Sequence, residues 1–279
     1  MSRATGHDLS HLSPAAGRLG AALARPKGLA AICVIALAGL GWLALGVMTS
    51  GTATLDALCR PLIGNIWSIT GFAMLVSMWS AMTFAMMLPS AAPMILTYAE
   101  IADTAARKGE QIVSPFTLTA GYAAVWLGFA AAAALMQSML TRLSLLEADM
   151  TSASGLFSGI LFIAAGGYQF SAFKHACLTQ CQRPFPFFFS HWATAPRGVF
   201  RLGLTQGLYC LGCCWAMMLL MFAVGVMNIL WMAGLGMVMT VEKIGTGKRF
   251  SYVIGVLSIV LGAALLLNAF ATHWPMRAN

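Results

Sequence analysis

Long apolar segments, separated by short polar ones, run through most of this 279-residue sequence. A helix needs about 20 apolar residues to cross a bilayer whose hydrocarbon core is about 30 Å thick. The candidate segments are residues 28–48, 66–88, 116–140, 156–173, 202–224, 226–241 and 251–270. The uncharged stretch 202–241 is too long for one crossing and long enough for two that are joined by a tight turn near residues 225–228. The sequence predicts an all-α, polytopic transmembrane helix bundle of about seven spans.

Composition excludes a water-soluble fold. Hydrophobic residues make up 59% of the chain and charged residues 9%, whereas soluble domains carry about 25% charged residues. Residues 1–27 contain Pro14 and Pro26 and no compact apolar core, so we expect a flexible cytoplasmic tail, followed by a single transmembrane domain over residues 28–279. The bilayer is the expected partner and nucleic acid is not, since the basic residues lie in short loops beside apolar spans.

The distribution of Lys and Arg predicts the orientation. With seven spans and a cytoplasmic N-terminus, 13 of the 16 basic residues lie on the cytoplasmic side, against 11 for a six-span arrangement. Basic residues concentrate in cytoplasmic loops. We therefore expect seven spans with the C-terminus on the periplasmic or exterior side.

Sulfur is the chemistry that the spans offer. The chain has 19 Met and seven Cys, and no Asp, Glu, Lys, Arg or His falls well inside a predicted span. Spacings of three and four residues place each set on one helix face. The second span carries Met78, Met82 and Met86, and the fifth carries Cys210, Cys213, Cys214 and Met217.

The two sulfur faces are expected to meet. At 1.5 Å per residue, Met82 and Met78 lie about 9 and 15 Å from the cytoplasmic end of their span, and Cys210 about 13 Å from its own. Thioether and thiolate ligands select copper(I) over hard cations. The alternative is that the methionines are apolar gap-fillers and the cysteines small buried hydrophobes.

A second pair, Cys177 and Cys181, follows the fourth predicted span. Spacing of four puts both thiols on one helix face at the cytoplasmic mouth, with His175 nearby as a possible nitrogen ligand. This pair either receives and releases metal or is reduced and inert. No Ser/His/Asp constellation or pair of catalytic carboxylates is recognisable, so we do not expect an enzyme.

Several motifs together resemble a bacterial family of predicted metal-binding integral membrane proteins, long described as a domain of unknown function. They are residues 78–79 and 85–90, residues 168–169 with Lys174, Cys177 and Cys181, residues 209–216, and residues 225–228 through 242–243. The family includes a membrane copper chaperone that serves a tyrosinase. The resemblance implies copper delivery to an acceptor protein and a location in the bacterial cytoplasmic (inner) membrane.

The sequence thus favours a copper(I) chaperone or conduit that uses intramembrane Cys and Met. Two other functions stay open. One is an accessory structural subunit of a larger membrane complex, without metal; the other is a membrane thiol redox protein that uses Cys210 with Cys213.

Overall fold

The architecture comes from a computed structural model that describes residues 35–36, 38–43, 46, 69–145, 154–226, 228–245 and 247–273. The prediction of an all-α fold is confirmed, because these residues form helices and no strand. From residue 69 onward the described helices are α1 (Ile69–Arg107), α2 (Pro115–Arg142), α3 (Gly155–Tyr168), α4 (Ala172–Gln182), α5 (Pro184–Ser190), α6 (Pro196–Leu219), α7 (Met221–Val224), α8 (Ile229–Ile244) and α9 (Arg249–His273).

Four described helical segments are long and apolar enough to cross a membrane: α1, α2, α6 together with α7, and α9. A fifth crossing arises if α3 and α4, which are bent by 65°, form one broken span. The predicted span at 226–241 corresponds to α8, which has 16 residues. Residues 38–43 of the first predicted span are helical, whereas the tail at 1–27 lies outside the described residues. The count of seven spans and the orientation of the termini stay predictions.

Helix α1 continues well beyond the predicted end of its span at residue 88. Its 39 residues extend about 58 Å, nearly twice the hydrocarbon thickness. Pro89 and Pro93 both lie inside α1. Proline removes the hydrogen bond to the carbonyl four residues earlier, and the carbonyl of Ala85 instead accepts a hydrogen bond from Trp42 Nε1 at 3.1 Å.

Glycines allow close contact between two pairs of helices. A Cβ added at Gly121 of α2 would overlap the carbonyl oxygen of Phe200 on α6, and one at Gly203 would overlap the carbonyl oxygen of Leu118 on α2. Similarly, a Cβ at Gly159 of α3 would lie 2.9 Å from the carbonyl oxygen of Gly262 on α9. Small residues serve this purpose in membrane helices, where dispersion rather than hydrophobic burial drives association.

The turn predicted near residues 225–228 lies between α7 and α8. Helix α7 ends at Gly225, which has a φ of 98°, a conformation that glycine adopts without a steric penalty. Asn228 then begins α8 by accepting a hydrogen bond from the backbone N–H of Trp231 at 3.2 Å. The turn returns the chain so that the C-terminal end of α8 lies against α4, α6 and α1.

Candidate metal centre

Cys210 of α6 lies at a point where four helices meet. Its sulfur, in a side chain that is 3% exposed, is 3.0 Å from the Tyr122 hydroxyl of α2. It also accepts a hydrogen bond from Lys243 Nζ of α8 at 2.9 Å. The same ammonium donates to Ser90 Oγ of α1 at 2.6 Å. The contacts of Cys210 and Lys243 therefore connect α1, α2, α6 and α8.

The backbone of α1 contributes an acceptor to this meeting point. Tyr122 donates its hydroxyl proton to the carbonyl oxygen of Met87 at 3.1 Å, and Ser90 Oγ donates to the same carbonyl at 2.8 Å. Buried polar groups need such partners, because an unpaired one costs about 1–3 kcal/mol. The Cys210 environment is therefore a satisfied polar network within an apolar core.

Three other cysteines form a row of sulfur contacts, the sulfur row, which consists of Cys181, Cys213 and Cys214. Cys213 Sγ lies 3.3 Å from Cys214 Sγ and 4.0 Å from Cys181 Sγ on α4, and it donates to the carbonyl oxygen of Cys210 at 3.2 Å. All are free thiols. A zinc–thiolate bond is about 2.3 Å long, so by that measure two sulfurs that share an ion lie within about 4.6 Å. No group of three or more His, Cys, Asp or Glu side chains in the described ranges is arranged to hold a metal ion.

Cys177 and Cys181 of α4 lie against α6. The sequence predicted only that the pair lies at the cytoplasmic mouth of the bundle. A Cβ added at Gly212 would be 2.6 Å from Cys177 Sγ, so the absence of a side chain there makes room for the thiol. Cys177 is buried, whereas Cys181 is partly exposed. Cys181 is therefore the sulfur of the row nearest to the surface.

His175 lies on a different side of α4 from Cys177. The two residues are two positions apart, a spacing that turns their side chains away from each other on a helix. The His175 ring packs edge-on against Tyr252 of α9, with centroids 5.3 Å apart. It is buried, and neither ring nitrogen has a hydrogen-bond partner among the described residues. A nitrogen ligand at His175 stays a prediction.

The predicted methionine ligands are all in the core. Met78, Met82, Met86 and Met217 are at most 6% exposed. Met86 packs against α8, where a Cβ on Gly236 would lie 3.5 Å from its Cγ. The bonds that connect α1 to Cys210 run through Ser90 and the Met87 carbonyl, so direct pairing of thioethers with the cysteines stays a prediction.

A buried ion pair lies next to the sulfur row. Lys174 Nζ of α4 and Glu242 Oε2 of α8 are 2.8 Å apart, with side chains 0% and 1% exposed. Ser251 of α9 donates to the second carboxylate oxygen of Glu242. Gln182 Nε2 donates to the Glu242 carbonyl oxygen at 2.9 Å. The pair therefore joins α4, α8 and α9.

Sequence reasoning missed these buried charges. The predicted spans end before Lys174, Glu242 and Lys243 and leave these residues in the segments between spans, whereas the structure has them buried in α4 and α8. The signal that could have found them is in the sequence blocks that carry the family resemblance, which include all three residues. Ser90 also lies in one of these blocks, at residues 85–90, whereas Tyr122 had no comparable signal.

A family model described as PpoB2, a copper chaperone, matches residues 76–265. The matched segment is about two thirds of the chain and contains the five cysteines of α4 and α6. No curated protein matches the chain, and no solved structure does.

Proposed function

We propose, from the premise that the chain belongs to the PpoB2 family of copper chaperones, that it carries copper as copper(I) on the thiols of α4 and α6 and passes it to an acceptor protein. The sulfurs concerned are those of Cys177, Cys181, Cys210, Cys213 and Cys214. Copper is the cargo here, so the site must bind the ion and also release it.

The observation that carries this proposal is the position of Cys213. Its sulfur has Cys214 at 3.3 Å and Cys181, from a different helix, at 4.0 Å. Both separations are within the reach of two sulfurs that share one ion, and thiolates select copper(I). A metal that bridges Cys181 and Cys213 would also fix α4 to α6.

Burial supports a direction of sulfur exchange. Cys181 is partly exposed, Cys213 is 1% exposed and Cys210 is 3% exposed. Copper(I) would arrive at Cys181, move to Cys213 by exchanging one thiolate at a time, and then bind to Cys210 and Cys214. Met78, Met82, Met86 and Met217 provide further buried thioethers for exchange.

The apolar helices place the protein in a membrane, and we propose the bacterial cytoplasmic (inner) membrane as its location. The acceptor would dock at the end of the bundle where Cys181 is accessible. In this arrangement the protein is a chaperone and has no catalytic role.

Copper binding by purified protein tests the proposal. Protein in detergent, reduced and kept free of oxygen, is titrated with copper(I) in competition with a chromogenic chelator. We expect tight binding by the unmodified chain and a loss of at least about tenfold in affinity for Cys181→Ser with Cys213→Ser, because two thiolate ligands are removed. The matched control is Cys33→Ser with Cys59→Ser, which removes two thiols that stand alone in the sequence.

Equal copper affinity in the Cys181/Cys213 variant and the control would refute the site. The 4.0 Å contact of Cys181 with Cys213 also favours a thiol redox protein as a second candidate. In that function Cys181 and Cys213 exchange with a disulfide of a substrate protein, so that the two thiols are oxidised to a disulfide while the substrate disulfide is reduced to a dithiol. It predicts a trapped mixed disulfide with the substrate when one of the two cysteines is changed to Ser. Absence of copper together with a stoichiometric partner protein would instead support the accessory-subunit function.

A further inference from the structure

Lys243 is a buried cation that donates a hydrogen bond to a sulfur. Its side chain is 7% exposed, and its ammonium donates to Cys210 Sγ at 2.9 Å and to Ser90 Oγ at 2.6 Å. Removing an ammonium from water costs several kcal/mol unless an anion or several acceptors compensate. Ser90 Oγ and Cys210 Sγ are two acceptors for this ammonium, and negative charge beside it would stabilise it further.

The neighbouring carboxylate does not supply that charge. Glu242 precedes Lys243 in α8, yet its two oxygens are bonded to Lys174 and Ser251. No salt bridge among the described residues includes Lys243. The Lys174–Glu242 pair is neutral as a unit, so the positive charge of Lys243 faces the cysteine cluster.

Charge counting then distinguishes between metal ions. One monovalent ion bound by two thiolates gives a complex of charge −1, which the Lys243 ammonium balances to zero. One divalent ion bound by the same two thiolates is neutral, so with Lys243 the buried site keeps a charge of +1. An uncompensated charge in a low-dielectric interior is costly.

We propose that Lys243 is the residue that makes this site selective for a monovalent soft ion, as the counter-cation of an anionic dithiolate complex at the α6 cysteines. The inference rests on the proposed function and deepens it. Lys243 acts through Cys210 and the charge of the complex, without itself binding the metal. Silver(I) should then bind like copper(I), whereas zinc(II) should be disfavoured although thiolates are good zinc ligands.

Selectivity measured on variants of the full chain tests this role. Affinities for copper(I), silver(I) and zinc(II) are measured for the unmodified protein, Lys243→Met, Lys243→Arg and Lys248→Met. Lys248 is an exposed lysine five residues further along the chain and serves as the control. We expect Lys243→Met to lose at least about tenfold in affinity for copper(I) and silver(I), as when one partner of a buried charge pair is truncated, and to gain affinity for zinc(II). Lys243→Arg and Lys248→Met should keep the original preference.

A neutral variant that keeps the hydrogen bonds separates charge from packing. Lys243→Gln can still donate to Cys210 and Ser90, so its copper-to-zinc preference should fall as in Lys243→Met even if the methionine variant does not fold. An unchanged preference in Lys243→Gln, or in a folded Lys243→Met, would overturn the role of Lys243 while leaving copper binding intact. If the unmodified protein binds no copper(I), the proposed function itself fails, and this inference fails with it.

Discussion

Helices α6 and α9 are both apolar and long enough to cross a membrane, yet they occupy different environments. In an apolar 18-residue stretch of the span formed by α6 and α7, 56% of the residues are buried inside the protein, against 17% in the corresponding stretch of α9. Helix α6 carries three of the thiols and approaches α2 at the Gly121–Gly203 contact, whereas α9 packs mainly on α3 and presents Val253, Leu257 and Val260 outward. Apolar length therefore indicates which helices are candidate membrane spans, and small, sulfur-containing and polar residues indicate which of them is interior.

Helix α9 contacts the polar core through Ser251, which donates to Glu242. Changing Glu242 to Gln leaves the buried Lys174 ammonium without its anion, and we expect a loss of about 3–5 kcal/mol in the free energy of unfolding. Denaturant unfolding of the detergent-solubilised protein measures the loss. This is the largest effect expected on stability.

The exposed pair formed by Asp103 and Arg107 is the matched control for the buried pair. These side chains are 27% and 73% exposed and 2.6 Å apart, so Asp103→Asn should cost about 0–1 kcal/mol. If the two substitutions cost the same, the buried network does not join α9 to the core as described.

The tight contact between α2 and α6 is tested by adding one methyl group. Gly121→Ala places a Cβ against the Phe200 carbonyl oxygen, and we expect a loss of about 1–3 kcal/mol from overpacking. Gly128 of the same helix has open space around its Cβ position, so Gly128→Ala should stabilise by up to about 1 kcal/mol through helix propensity. Thermal unfolding of both variants would show opposite shifts, and shifts of the same sign would contradict the packing of α6.

The methionines of α1 should have the smallest effect on copper affinity. Replacing Met78, Met82 and Met86 by Leu conserves side-chain volume at small cost, and the thiols of α4 and α6 stay intact. We expect bound copper(I) to be retained and its transfer to an acceptor to slow, as measured by stopped-flow exchange with a chelator. The control is Met136→Leu with Met139→Leu, at exposed positions of α2. A complete loss of copper in the α1 variant would make the thioethers primary ligands.

Periodicity and composition were sufficient to predict the all-α membrane fold and the clustering of Cys210, Cys213 and Cys214 on one helix face. They did not predict that the Ala85 carbonyl, which faces Pro89 in α1, accepts a hydrogen bond from Trp42, 43 residues before Ala85. They also did not predict that Lys243 reaches Cys210, since a charge at the end of an apolar segment is equally compatible with a loop. Contacts between distant segments decided both outcomes, and local sequence does not encode them.

The coordination of copper in the loaded protein tests the central claim most directly. X-ray absorption at the copper edge of the reduced, copper-loaded protein should give a copper(I) edge and scattering from sulfur neighbours only, and the sulfur signal should be lost when Cys210, Cys213 and Cys214 are changed to Ser. Nitrogen or oxygen neighbours in the unmodified protein, or an unchanged spectrum in the cysteine variant, would contradict a thiolate-bound cargo in α6.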